Sequence, residues 1–227
     1  MTKLMTDVLG YKTFVAAGGD LATGIIQRMA LNHPQVIRGV HLTDVGYPTG
    51  GEDLSALSPA EQQFAEKAQR WWYMEGGYNI VQSTKPQTLS FGLNDSPAGL
   101  AAWMVEKFYS WSGCKDDLEK HFSKDELLTN IMIYWVTQTA DSSVRTYLEN
   151  IRAMYAQGMP KPLGRSTVPA AVAAFPNESI AVPREWADRF LNVRRFTDFP
   201  RGGHFGALEE PELFANDLLA FLSNLSP

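Results

Sequence analysis

The sequence predicts an α/β fold in which a parallel sheet is interrupted by a helical insertion, and three observations carry that reading. An apolar run at residues 11–17, bounded by Gly10 and Gly18-Gly19, leads into Ala22, Ile25, Ile26, Met29 and Ala30 at helical spacing, and a second strand-like run follows at 37–45. Strand, helix and strand in that order make one βαβ unit, and such a unit builds a parallel sheet. Residues 50–165 then read as helical almost throughout, and strand and helix signals alternate again after residue 166.

Each element has a local cause. The first helix stops at Asn32-His33-Pro34, and the second strand breaks at the Gly/Pro-rich stretch 46–51. Ser58-Pro59-Ala60-Glu61 is a capping box with proline at the first helical position, opening a helix that carries Phe64, Ala68 and Trp71 to a stop at Gly76-Gly77. Ser96-Pro97 opens another, lined by Leu100, Met104, Phe108 and Trp111, and Ser123 to Glu126 is a second capping box before Leu127, Leu128, Ile131, Met132 and Trp135. A helix at about 143–155 closes the insertion. Beyond the Pro/Gly-rich stretch 158–169 come a buried strand at 170–175, a short helix at 182–189, a strand at 191–199 and an amphipathic helix at 213–225. The domain reading is therefore a core of residues 1–49 and 166–227, with 50–165 as a helical cap.

Composition narrows the class. A chain of 227 residues that is 44% hydrophobic can bury one sizeable core. The net charge of −5, with no basic cluster, argues against nucleic-acid or anionic-membrane partners. A single cysteine, Cys114, cannot form an internal disulfide and points to a reducing, cytoplasmic setting. No apolar run approaches the ~18 residues of a spanning helix, and the N-terminus has no signal-peptide pattern. Oligomeric assembly stays open.

Asp20 stands between the first strand and its helix. A nucleophile elbow reads small-x-nucleophile-x-small because its tight turn crowds the neighbours, and Gly18 and Ala22 supply the small positions. A carboxylate attacks without first losing a proton and suits displacement at an sp³ carbon, after which water must hydrolyse the ester. Epoxides or alkyl halides are the substrates that this chemistry fits. The turn alone also allows Asp20 to be a simple N-cap.

His204 lies after the last predicted strand in the glycine-flanked loop Gly202-Gly203-His204, at the sheet edge where open α/β folds place their sites. An imidazole there can act as the base that draws a proton from water. His33, His41 and His121 read as exposed bystanders. Two carboxylates compete to orient His204: Glu178, just after the strand at 170–175, and Asp44, at the end of the strand after the elbow helix. Glu178 is preferred because nucleophile, acid and histidine then follow the chain order of α/β hydrolases.

With these residues assembled, the chain resembles the epoxide hydrolases of the α/β-hydrolase superfamily, specifically the microsomal type. The resemblance rests on segments 18–34, 77–86, 93–103, 127–135 and 202–211 and covers nearly the whole chain. It implies Asp20 as nucleophile, His204 as base, Glu178 as acid, the backbone N–H of Leu21 as an oxyanion donor, and Tyr78 and Tyr147 as phenols that protonate the departing epoxide oxygen. It also implies a small apolar epoxide and water as substrates, a role in detoxification, and no metal or organic cofactor. From the residues alone, Tyr78 and Tyr147 would pass for core aromatics.

Departures from the family sharpen two alternatives. Members carry a long N-terminal part with several further strands and a His-Gly-x-Pro loop that supplies a second oxyanion donor; here only about ten residues precede the first strand. The expected fold is thus an N-terminally shortened α/β-hydrolase-like sheet whose first strand is an edge. Leu21 and Ala22 replace the usual Trp and Gly. A haloalkane dehalogenase, which needs N–H donors for its halide, and a truncated inactive chain that binds an apolar ligand or a complementing chain are the other readings.

Overall fold

Gly18 and Ala22 show why the elbow needs small residues: a Cβ on Gly18 would sit 2.9 Å from that of Ala22, and one on Gly19 only 2.0 Å from Thr43 Oγ1. The computed structural model describes residues 1–48, 52–114, 117–157 and 163–225. Parts of the stretches 46–51 and 158–169, read above as breaks, lie outside the described residues. The described chain divides into two compact units, residues 1–69 with 163–227 and residues 70–162.

The first unit holds a four-stranded parallel sheet in the order β1-β2-β3-β4. β1 (Phe14–Gly18) leads into α1 (Leu21–Asn32) and β2 (Ile37–Leu42). β1 begins three residues later than the pattern predicts. Gly10 adopts φ +74° and the Tyr11 N–H donates to Met5 O, so residues 11–13 close a turn instead of entering the ladder. As expected, β1 is an edge strand of the sheet, with β4 at the other edge.

α2 (Pro59–Glu75) opens with the Ser58–Glu61 box: Ser58 N–H donates to Glu61 Oε2, and Glu61 N–H donates to Ser58 Oγ. The boundary between the two compact units falls inside this helix. Its first turns pack in the sheet unit, where Phe64 meets Trp186 and buried Glu61 pairs with Arg189, whose hydrogen bond holds the Glu61 carboxyl below its usual range.

The second unit continues with α3 (Gly77–Thr84), α4 (Pro86–Asp95), α5 (Pro97–Trp111) and α6 (Lys124–Thr137). α3 and α4 are separate because Pro86 forces Lys85 out of helical dihedrals, to φ −135° and ψ 51°. α6 keeps its predicted capping box, with Ser123 and Glu126 hydrogen-bonded in both directions. It ends at Gln138 in the left-handed region, which lets α7 (Ala140–Gln157) start three residues before the predicted 143. Leu93, Leu100, Ile131, Ala140 and Val144 form this unit's apolar core.

Back in the first unit, β3 (Pro169–Ala174) is an inner strand and almost wholly buried. α8 (Arg184–Phe190), β4 (Asn192–Asp198), α9 (Gly206–Glu209) and α10 (Pro211–Ser223) complete it. α10 begins at its proline, two residues before the apolar pattern shows. His41 corrects an expectation. It lies on β2, where it is fully buried, and its Nε2 sits 2.9 Å from Asp217 Oδ2 on α10. Asp217 also accepts from Arg195 Nε and Thr197 Oγ1, each at 2.6 Å. A polar network thus pins the terminal helix to the sheet. No helix among the described residues is long and apolar enough to cross a membrane.

Candidate active site

Asp20 occupies the N-cap position of α1, yet its side chain makes no capping hydrogen bond. Its backbone stands at φ 52° and ψ −126°, a sparsely populated region for a residue with a Cβ that costs about 1–3 kcal/mol. The carboxylate is left half-exposed beyond the carboxyl end of β1, with Oδ2 at 3.2 Å from His204 Nε2. Capping is therefore not what this aspartate does.

Two loops bring His204 to it. After β3 the chain turns at Phe175 to Ser179, and after β4 it passes through Gly202, whose φ of +96° favours glycine. The Asn177 N–H donates to Gly202 O at 3.0 Å and stitches the two loops together. Gly206 packs so closely on Phe175 that an added Cβ would lie 2.3 Å from its ring. Glu209 Oε1 accepts the N–H groups of Gly203 and Phe205 at 3.0 and 3.1 Å, holding the histidine loop from the far side.

Glu178 lies within this clasp. Its buried Oε1 is 2.8 Å from His204 Nδ1 and also accepts the Ser179 N–H at 2.8 Å. Asp44, the rival acid, is engaged elsewhere: its oxygens accept from the Asp20 N–H, the Thr23 hydroxyl and the Gly46 N–H. His204 thus bridges two carboxylates. Burial alone would pull its pKa down, but the hydrogen bonds to Asp20 and Glu178, with their charges, outweigh it and push the pKa up to about 10. The resting imidazole is therefore a cation at neutral pH. That ion triplet adds stability in full below the unfolded-state value near ~6.5, and the contribution is lost as the pH rises through about 10.

A pocket of about 260 Å³ opens at this point, lined by Gly18, Asp20, Thr43, His204, Leu208 and Phe214 among others, and its walls are mostly apolar. In the other unit, Tyr78 on α3 and Tyr147 on α7 stand edge to face, with ring centroids 6.2 Å apart. The Lys107 ammonium lies 5.0 Å over the Tyr78 ring. Sequence reasoning missed Glu209 as a brace and gave Asp44 only the acid's part. Their partners could not be read from spacing, although the Asp44 position at the carboxyl edge of the sheet was the available signal.

A parallel sheet, a strained aspartate elbow and a histidine held between two carboxylates at the carboxyl edge define an α/β-hydrolase-type core. No family model matches the sequence. Comparison with known proteins nevertheless finds that the chain is similar, over nearly its whole length, to proteins named as epoxide hydrolases. It is 40% identical to a Stigmatella aurantiaca protein whose name places it in that group, over 92% of this chain and 47% of the relative. It is 36% identical to epoxide hydrolase 1 of Oryctolagus cuniculus, over 94% of this chain and 52% of the relative. The Aspergillus niger epoxide hydrolase structure superposes with a TM-score of 0.78 at 25% identity, covering 99% of this chain and 56% of that one. The Bombyx mori juvenile hormone epoxide hydrolase structure gives 0.78 at 29%, covering 98% and 52%. The chain spans about half the length of the curated relatives that it matches.

Proposed function

We propose that this chain carries the hydrolytic machinery of an epoxide hydrolase, with Asp20 as nucleophile, His204 as base and Glu178 as the acid that orients it. The observation that carries the reading is the Asp20–His204–Glu178 relay, with separations of 3.2 and 2.8 Å, built on an aspartate that holds a strained elbow without capping its helix.

In the first step a carboxylate oxygen of Asp20 attacks an epoxide carbon, the ring C–O bond breaks, and a proton passes to the departing oxygen. Tyr78 and Tyr147 are the candidate proton donors, a role that family resemblance supplies and that the pairing of their rings supports. A phenol with a pKa of ~10 stays protonated at neutral pH and donates strongly. In the second step His204, once the Asp20 charge is gone, gives up its proton to solvent, from which the phenolate left by the first step is restored. The neutral imidazole then takes a proton from water, the hydroxide adds to the Asp20 ester carbonyl, and the acyl C–O bond breaks. The carboxylic acid proton passes to the departing alkoxide, releasing the vicinal diol and returning Asp20 as carboxylate and His204 as cation. The Leu21 N–H, next to the nucleophile, is the candidate donor to the oxyanion.

Ester formation prepares the base for its task. Esterified Asp20 no longer carries the charge that helps hold His204 protonated, so the imidazole becomes easier to deprotonate once water is needed. Every group in this scheme is a side chain or backbone amide, and no cofactor is assigned a step. The small apolar substrate fits the walls of the pocket. A cytoplasmic setting fits the single cysteine.

Offering the purified chain styrene oxide and, separately, 1-bromohexane tests the leaving group. Diol from the first with no bromide from the second is the expected result. Bromide release without diol would favour dehalogenase chemistry, and neither product would favour a chain that binds without turnover.

A further inference from the structure

Asp44 follows β2, and only 4% of it is exposed. Its Oδ2 accepts the backbone N–H of Asp20 at 2.6 Å and the Thr23 hydroxyl at 2.8 Å, while Oδ1 accepts the Gly46 N–H at 3.1 Å. Three donors on one buried carboxylate are far more than a passing contact, since a charge is kept out of water only where such bonds compensate it. The first donor belongs to the residue whose backbone is strained. At 2.6 Å, that bond is slightly shorter than the ~2.7–2.9 Å usual for charge-assisted N–H···O⁻ bonds.

We propose that Asp44 is a positioning residue: it clamps the amide of Asp20, keeps the elbow at its strained dihedrals, and so holds the Asp20 carboxylate on His204, while taking no part as the acid of the relay. The inference rests on Asp20 being the nucleophile. Rotation about φ of Asp20 swings its whole side chain, and a misplacement of ~1 Å can cost about 10²-fold in rate. Burial, the largest influence on Asp44, holds its carboxyl above the usual range; the three hydrogen bonds oppose that, and the nearby charge of Glu178 adds to it. Asp44 and Glu178 are thus neighbours with different partners. One serves the nucleophile's backbone and the other the base's ring.

The test compares Asp44→Ala and Asp44→Asn with Glu178→Gln by three measurements: hydrogen exchange of the Asp20 amide, the rate of ester formation on Asp20 with styrene oxide in a single turnover, and the pH midpoint of ester hydrolysis. Asp44→Ala should speed amide exchange at least about tenfold and slow ester formation about 10²-fold, with the pH midpoint unmoved. Asp44→Asn retains one oxygen that can accept the amide and should fall between the alanine variant and the unsubstituted chain on both rates; it carries the test if the alanine variant does not fold. Glu178→Gln should do the reverse, leaving amide exchange and ester formation near normal while slowing hydrolysis and lowering its midpoint. An unchanged Asp20 amide or ester-forming rate in both Asp44 variants overturns the proposal, as does an Asp44→Asn midpoint that shifts like that of Glu178→Gln. If the unsubstituted chain forms no ester, the nucleophile reading fails separately, and amide exchange alone still decides whether Asp44 clamps the elbow.

Discussion

Asp20→Asn should abolish diol formation, lowering the rate by at least about 10⁴-fold, because loss of a covalent nucleophile removes the first step outright. Asparagine suits the experiment because it matches aspartate in shape and is among the few residues that tolerate positive φ. The elbow at φ 52° should therefore persist, and the Asp44 contact to the backbone N–H with it. The chain should melt close to its usual temperature. The same substitution removes one of the two anions that raise His204, so its titration should move down from about 10. NMR of the imidazole follows that shift independently of activity. An active Asp20→Asn chain, or an unmoved His204, would contradict the arrangement described.

His204→Gln should separate the two half-reactions. Asp20 needs no base to attack, so styrene oxide should still add one equivalent of mass to the protein. Hydrolysis of that adduct, deprived of its general base, should slow by about 10²–10⁴-fold. Intact-protein mass spectrometry would show the ester accumulating to one per chain and persisting, whereas the unsubstituted chain would clear it. An adduct that clears at the normal rate would mean that another group activates water.

Elements whose causes are local could be read from the sequence. The Ser58–Glu61 and Ser123–Glu126 boxes open α2 and α6 because both partners lie within one turn. The elbow could be read because crowding between Gly18 and Ala22 is a matter of neighbouring residues. Long-range contacts were a different matter. His41 resembled a bystander, and only the fold brings it to Asp217, 176 positions away. Asp44 could be placed at the sheet edge, but which of its neighbours it would bind depended on a loop geometry that spacing does not encode. The rings of Tyr78 and Tyr147 meet because α3 and α7 pack together, which no periodicity in either helix reveals. Boundaries failed where a turn residue competed with the pattern, as at Gly10 and Gln138.

The covalent ester on Asp20 is the centre of this mechanism, and isotopic labelling reads it directly. In a single turnover of styrene oxide in ¹⁸O-water, with enzyme in excess, the diol should emerge unlabelled because its new oxygen comes from Asp20. The label should appear in the Asp20 carboxylate, detectable in the peptide that contains it. Label in the first-turnover diol, with Asp20 unlabelled, would mean that water opens the ring directly and that the carboxylate never becomes covalent.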